Sequence, residues 1–268
     1  MSTRRYQRIP SMWMILCCLC MAQQGRAGIL RVDERATGRN DGASWSDAYT
    51  TLSRALRVAR SGDQVWIAEG KYTPDPGGLD DPHKATFEVF YAVSIYGGFP
   101  SGGGTMADRD PNVRVTTLSG DLNRDDPPGD QFSLTSKARN RSDNCYGVVW
   151  CSTESGEILL DGLTIENGHA NDPNGGWKDG GGLYVDGGAV KLSHCKFRAN
   201  YALYGGAVYA WRRRITIDHC ELSHNVAEYS GGGVCSQETD LQMTESLVVG
   251  NDAEWGAGLA IFDSDSVK

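Results

Sequence analysis

The sequence predicts an all-β fold, a right-handed parallel β-helix (solenoid) with an N-terminal capping helix, and three observations carry that prediction. Apolar residues recur at offsets of 25 and then 26 residues in the second half of the chain. Within each repeating unit they alternate with polar residues, which is strand periodicity rather than helix periodicity. The 34 glycines fall mostly between short apolar runs, as expected of many short strands joined by tight turns. With 268 residues, 40% hydrophobic and 22% charged, the composition is that of a folded chain, long enough for one elongated domain or two small ones.

Residues 1–27 read as a secretory signal. Arg4, Arg5 and Arg8 form a basic start, Met12 to Ala22 is a short apolar run, and Gly25-Arg26-Ala27 supplies small residues before a cut after Ala27. The run falls well short of the about 20 apolar residues that a bilayer-spanning helix needs, so no transmembrane span is expected in the mature chain. Removing four Arg and no acid takes the formal net charge from −8 to −12. A surface this acidic repels phosphates and argues against nucleic acid. Cys17, Cys18 and Cys20 leave with the signal, and Cys145, Cys151, Cys195, Cys220 and Cys235 remain. An odd number leaves at least one thiol without a partner in the chain.

Residues 28–157 read as an N-terminal cap and irregular first coils. Ile29 to Val32 is a short strand, Asp41 to Ser44 a turn, and Gln64 to Ala68 a second strand. Between them, residues 47–60 place Ala48, Leu52, Ala55, Leu56 and Ala59 on one helical stripe, with Ser46 as N-cap and Gly62 near the terminating position. Such a helix would cover the first strand edge, which otherwise invites aggregation. Two further strands are expected at 92–96 and 113–118, before an acidic loop from Gly120 to Asp130. Asp121, Asn123 and Asp125 alternate there as in a calcium loop. Asp126 stands where that loop requires Gly, however, and Phe132 where it requires Glu. A solvated acidic loop is the better reading; calcium is the one cofactor considered, and none is expected.

Residues 158–268 read as repeats of 25 to 26 residues. Gly181-Gly182-Leu183-Tyr184 opens one unit, followed by Val190, Leu192, Cys195, Phe197 and Asn200. Gly206-Ala207-Val208-Tyr209 opens the next, with Ile215, Ile217, Cys220, Leu222 and Asn225. Gly232-Gly233-Val234-Cys235 opens the third, with Leu241, Met243, Ser246, Val248 and Asn251. Ile158, Leu160, Leu163 and Ile165 are a looser forerunner. A unit this short cannot bury its own core, so units stack, with equivalent residues about 4.8 Å apart. Phe197, Leu222 and Val248 should form one inward ladder and Asn200, Asn225 and Asn251 a corner, where Asn tolerates a left-handed backbone. A fourth unit opens at Gly258 and is cut short, so self-association through the uncapped last coil is expected.

The repeats resemble those of polymorphic outer membrane proteins, marked by GGA followed by an aliphatic residue and by FxxN. Here these are Gly205-Gly206-Ala207-Val208 and Phe197-Arg198-Ala199-Asn200, with Leu222 to Asn225 and Val248 to Asn251 as variants. The upstream part is similar to the leader of bacterial β-helix surface proteins of the pectin-lyase-like superfamily. The matching text is Asn40-Asp41-Gly42, Trp45, Asp47-Ala48-Tyr49, Gly62 to Trp66, Gly70-Lys71-Tyr72 and Leu118 to Asp121. The resemblance covers almost the whole mature chain. It implies a right-handed β-helix that is secreted or held at the cell surface or outer membrane.

Candidate chemistry is sparse. Arg109-Asp110-Pro111-Asn112-Val113-Arg114 has the letters of a pectate-lyase segment but precedes the repeats and reads as a turn before a strand. Glycoside hydrolysis needs two carboxyls facing one sugar; Asp161, Asp186, Asp218, Asp240, Asp263 and Asp265 are available, without the motif series of polygalacturonases. His194 and His219 should stack outside adjacent units, with Glu245 beside the corresponding position rather than on it, and read as solvated. Cys195 and Cys220 read as buried thiols, and Cys145 with Cys151 as the better disulfide pair if one forms. Trp177, Trp211 and Trp255 fall near unit openings, where aromatic rings stack on sugars or pack against proteins. The expectation is a non-enzymatic, adhesin-like binder of carbohydrate or a cell-surface partner with no assigned catalytic residue. The alternative is a polysaccharide lyase or hydrolase of the same fold.

Overall fold

A computed structural model describes residues 27–126 and 141–263; residues 1–26 of the signal, Phe132 and Asp265 lie outside them. The described chain is all-β apart from one α-helix and two short 3-10 turns. Its strands run largely parallel in curled sheets of eleven, six and two strands.

The parallel pairing follows the sequence period. In the eleven-stranded sheet, Ile158, Val190, Ile215 and Leu241 stand in register, as do Leu160, Leu192, Ile217 and Met243. In the six-stranded sheet, Ile165, Phe197, Leu222 and Val248 do the same. All three ladders enter one apolar core, where Phe197 and Leu222 are fully buried. Strand Val208–Asp218 is long enough to pair with both Leu183–Asp186 and Ala189–Ser193, which merges two rows of short strands into the one large sheet. Earlier strands belong to the same sheets: Ile29–Val32 pairs with Gln64–Ala68, which pairs with Ser94–Phe99, which pairs with Glu157–Asp161.

Each unit bends at fixed left-handed positions. One ladder of positive φ is Gly180, Gly205, Gly231 and Gly256. Others are Gly187, Arg212, Glu238 and Asp263; Gly162, His194, His219 and Glu245; and Asn167, Ala199, His224 and Gly250. Only the first is glycine throughout, and sterics explain it. A Cβ on Gly205 would lie 2.4 Å from the Val208 carbonyl oxygen, and one on the adjoining Gly206 would lie 2.6 Å from the Gly232 carbonyl of the next unit. The other ladders already carry side chains, such as Ala199, His219 and Glu238, at the left-handed cost of about 1–2 kcal/mol. Gly162 is an exception, since a Cβ there would meet Arg109 and Pro111.

The asparagine ladder stands where expected but for a different reason. The left-handed residues are Ala199, His224 and Gly250, each one place earlier. The asparagines instead stitch units together: Asn200 Nδ2 donates to Asn225 Oδ1 at 2.9 Å, and Asn225 Nδ2 to Asn251 Oδ1 at 3.0 Å. The same amides reach the backbone carbonyls of Ile165 and Phe197. Asn200 and Asn225 are fully buried, so these bonds remove polar groups that would otherwise be costly.

The helix is shorter than its apolar stripe. It spans Leu52–Val58 with Thr51 at the N-cap, and Ser46 caps nothing. Residues 44–49 are engaged elsewhere. Ser46 and Asp47 carbonyls accept from Gly38, Asp41 and Gly42, and Tyr49 bridges Val32 as extended chain. Leu52, Ala55, Leu56 and Ala59 are buried with Val32, Val65 and Ile67, so the helix closes the core beside the first edge strand. The strands expected at 92–96 and 113–118 are Ser94–Phe99 and Thr116–Ser119. Val113 is exposed because Asp110 holds residues 110–114 in a turn. Among the described residues, no helix is long and apolar enough to cross a membrane.

Candidate functional site: an outer aromatic face and its groove

Strand alternation builds an outward aromatic row. Phe87–Val89 pairs with Val149–Cys151, which pairs with Leu183–Asp186, which pairs with Val208–Asp218. Phe87, Val89, Val149, Cys151, Leu183 and Val185 point into the core. The residues between them, Glu88, Trp150, Tyr184 and Tyr209, stand in register on the other face. Tyr184 and Tyr209 stack with ring centroids 5.5 Å apart and planes 2° from parallel. Trp150 meets Trp177 edge-on at 5.5 Å, and Trp177 meets Tyr184 at 5.9 Å. Tyr209 Oη donates to Gln237 Oε1 at 3.1 Å. Burial under this cover pushes the Tyr184 phenol up to about 12. It pushes the Asp179 carboxyl, whose charge acts on Tyr184 and Tyr209, up to about 6.

The three nominated tryptophans take different places. Trp177 covers Gly147, Trp150 and Tyr184. Trp211 stands two residues beyond Tyr209 on the same strand, under the Arg212 guanidinium at 4.2 Å. Trp255 is 67% exposed and bridges Ser230 at a bend. The first two belong to the aromatic face; the third lies around the bend from it. Rings stacked on one another offer edges rather than faces, so most of this row is packing.

Open ring surface occurs where the row begins. Phe90 and Tyr91 follow strand Phe87–Val89 and are 41% and 44% exposed. Phe90 meets Trp150 edge-on at 4.9 Å, and the Arg60 guanidinium covers one side of Tyr91 at 5.7 Å. Together they form a ridge between two clefts. One, of about 510 Å³, is lined by Ser53, Arg57, Asp75, Lys84, Thr86 and Glu88. The other, of about 480 Å³, is lined by Ser61, Trp150, Ser152, Thr153, Glu154 and Ser155. Glu154 and Ser155 lead on to a depression of about 350 Å³ beside Arg213, Arg214 and Asp240. The buried Trp150 indole N–H has no hydrogen-bond partner among the described residues.

The other candidates are committed to structure. Arg109 pairs with Asp161 and donates to the Gly97 carbonyl, and Arg114 donates to the Asp108 carbonyl. The lyase-like segment is therefore a clasp between units. Asp218 holds His219 and Thr244, and Asp240 pairs with Arg214. His194 and His219 stack at 5.2 Å, as expected. Glu245, however, occupies the equivalent position in the next unit, sharing its left-handed φ, and reaches His219 Nε2 at 2.6 Å. In the acidic loop, Asp121 and Asp125 converge with Asp143, while Asn123 contributes a backbone N–H to Asp143. Asp121 accepts from Lys71 Nζ at 3.0 Å and from the amides of Asp125 and Asp126, so a lysine already offsets one of the three charges. The five described cysteines are buried and free, Cys145 and Cys151 included. Cys145 Sγ donates instead to the Gly147 carbonyl, and Cys151 faces the core in register with Val185. Cys195 and Cys220 touch as thiols, the Cys195 N–H pointing at Cys220 Sγ.

The ridge and its clefts have no periodic signal in the sequence. Tyr184 and Tyr209 do fall at one position of successive units, and that signal could have located the aromatic row. No protein-family model matches the chain, and no curated protein or solved structure is detectably similar to it.

Proposed function

We propose that this is an exported, right-handed parallel β-helix protein of the cell surface, with repeats of the polymorphic outer membrane protein type. We propose that it binds carbohydrate across the Phe90–Tyr91 ridge. The observation that carries the reading is the pair of exposed rings between two clefts lined by hydroxyls and carboxylates. Sugar rings present C–H faces that stack on aromatic rings, and their hydroxyls bond to such polar groups. Binding is favoured over cleavage because Arg109 and Asp161 hold each other and Asp218 and Asp240 have partners of their own. Export rests on the basic, apolar and small-residue segments before Gly28; a mature N-terminus at Gly28 checks it.

The second reading, a polysaccharide-active enzyme, draws on one feature: Glu88 and Glu154 flank the same ridge. A polysaccharide panel scored for both retention and new reducing ends tests the two together. The expected result is retention without cleavage, reduced roughly tenfold by Tyr91→Ala, a loss of about 1.4 kcal/mol. Retention unaffected by Tyr91→Ala and Phe90→Ala would remove the ridge from the proposal, and release of oligosaccharides would replace binding by catalysis.

A further inference from the structure

Resting on the carbohydrate reading, we infer that the ligand is an uncharged linear polysaccharide rather than a polyuronate or sulfated chain, and that it straddles the ridge to fill both clefts. The charges around the ridge decide this. Glu88 stands on one side, beside Trp150 in register, and Glu154 on the other. Both are exposed, and among the described residues neither has a cationic partner. The cations nearby are largely engaged. Arg57 faces Asp75 at 3.9 Å and Arg214 holds Asp240 at 3.0 Å, whereas Arg60 Nη1 donates to the neutral carbonyls of Val58 and Ala59 and keeps its charge over Tyr91.

Lys84 is the cation left in the first cleft, and it shares that cleft with Glu88. A chain with an anion on every sugar needs a matching series of guanidinium or ammonium groups. Here it would meet two cations, Lys84 and Arg60, offset by two unpaired carboxylates, with no cationic series and on a chain of net charge −8. A neutral chain suffers no such repulsion, and it uses the same carboxylates as acceptors for its hydroxyl donors. Because clefts lie on both sides of the ridge, a chain that crosses it gains contacts that a short one on either side lacks.

The test measures binding of neutral hexasaccharides of glucose, xylose and mannose, their trisaccharides, and hexagalacturonate to the full mature chain by calorimetry at low and high salt. At least one neutral hexasaccharide should bind about tenfold or more tighter than both its trisaccharide and hexagalacturonate. Its affinity should be nearly independent of salt, while residual hexagalacturonate binding should strengthen as salt screens the carboxylates. Exchanging Glu88→Gln and Glu154→Gln together should narrow the preference by about tenfold. Hexagalacturonate binding as tightly as every neutral chain, and weakening with salt, would overturn the inference while leaving the carbohydrate reading intact. Failure of all these sugars to bind would end both.

Discussion

Asp179 is a carboxylate at odds with its surroundings. It packs against the tyrosine row, and burial raises its carboxyl from 3.8 to about 6. The sign of the linkage follows from that direction. Below the unfolded value near 3.8 the carboxyl is protonated in both states and its burial carries no charge penalty. As pH rises toward and past 6 the folded protein must hold a buried carboxylate, and stability falls. Among the described residues the charge of Lys178 lowers the carboxyl, while the phenols of Tyr184 and Tyr209 remain neutral throughout this range. Asp179→Asn should therefore stabilise the protein at pH 7–8, by about 1 kcal/mol after allowance for solvent screening. The gain should vanish near pH 4. Urea melts of the two proteins at both pH values measure it; a gain of equal size at pH 4 would mean that packing, and not charge, separates them.

Elements in this chain were legible where parallel stacking forces equal residues into equal places. Phe197, Leu222 and Val248 could be aligned by eye because each must lie beside the next. The helix was legible only as a stripe, since its apolar spacing continues through Ala48 while the backbone there bridges Val32 instead. Tertiary hydrogen bonds to Asp47 and Tyr49 overrode the local pattern. The bends separate two kinds of glycine that look alike in sequence. Gly205 has backbone 2.4 Å from where a Cβ would be, whereas Gly250 has only the His224 imidazole, at 3.0 Å. The ladder that contains Gly250 already holds Ala199 and His224 at the same φ sign. Gly250→Ala should thus lose no more than the left-handed cost of about 1–2 kcal/mol. Gly205→Ala should lose about 3 kcal/mol or more, because the strand after it must shift. Thermal unfolding compares them, and equal losses would contradict the steric account.

At the scale of the whole molecule, the groove was illegible for the same reason that the repeats were clear. Its walls come from the early part of the chain, where register pairs Phe87 with Val149 and Val149 with Leu183 across long, unequal connections. No period connects Tyr91 to Glu154. The opposite end shows a change that the period does reveal. On the outer face of the six-stranded sheet, successive strands carry Thr164 and Glu166, Lys196 and Arg198, then Glu221 and Ser223. The strand Leu247–Val249 replaces these polar pairs with Leu247 and Val249, which are 55% and 45% exposed. Among the described strands, Leu247–Val249 and Leu259–Phe262 each pair on one side only. Apolar side chains beside an unpaired parallel edge are a template for another strand. When residues 28–268 are produced alone, we expect association that grows with concentration in sedimentation velocity. We expect Leu247→Lys with Val249→Lys to suppress it, since charge on an edge opposes pairing. A monodisperse, cooperatively folding monomer at tens of micromolar would show that this edge is protected by something other than a neighbouring strand.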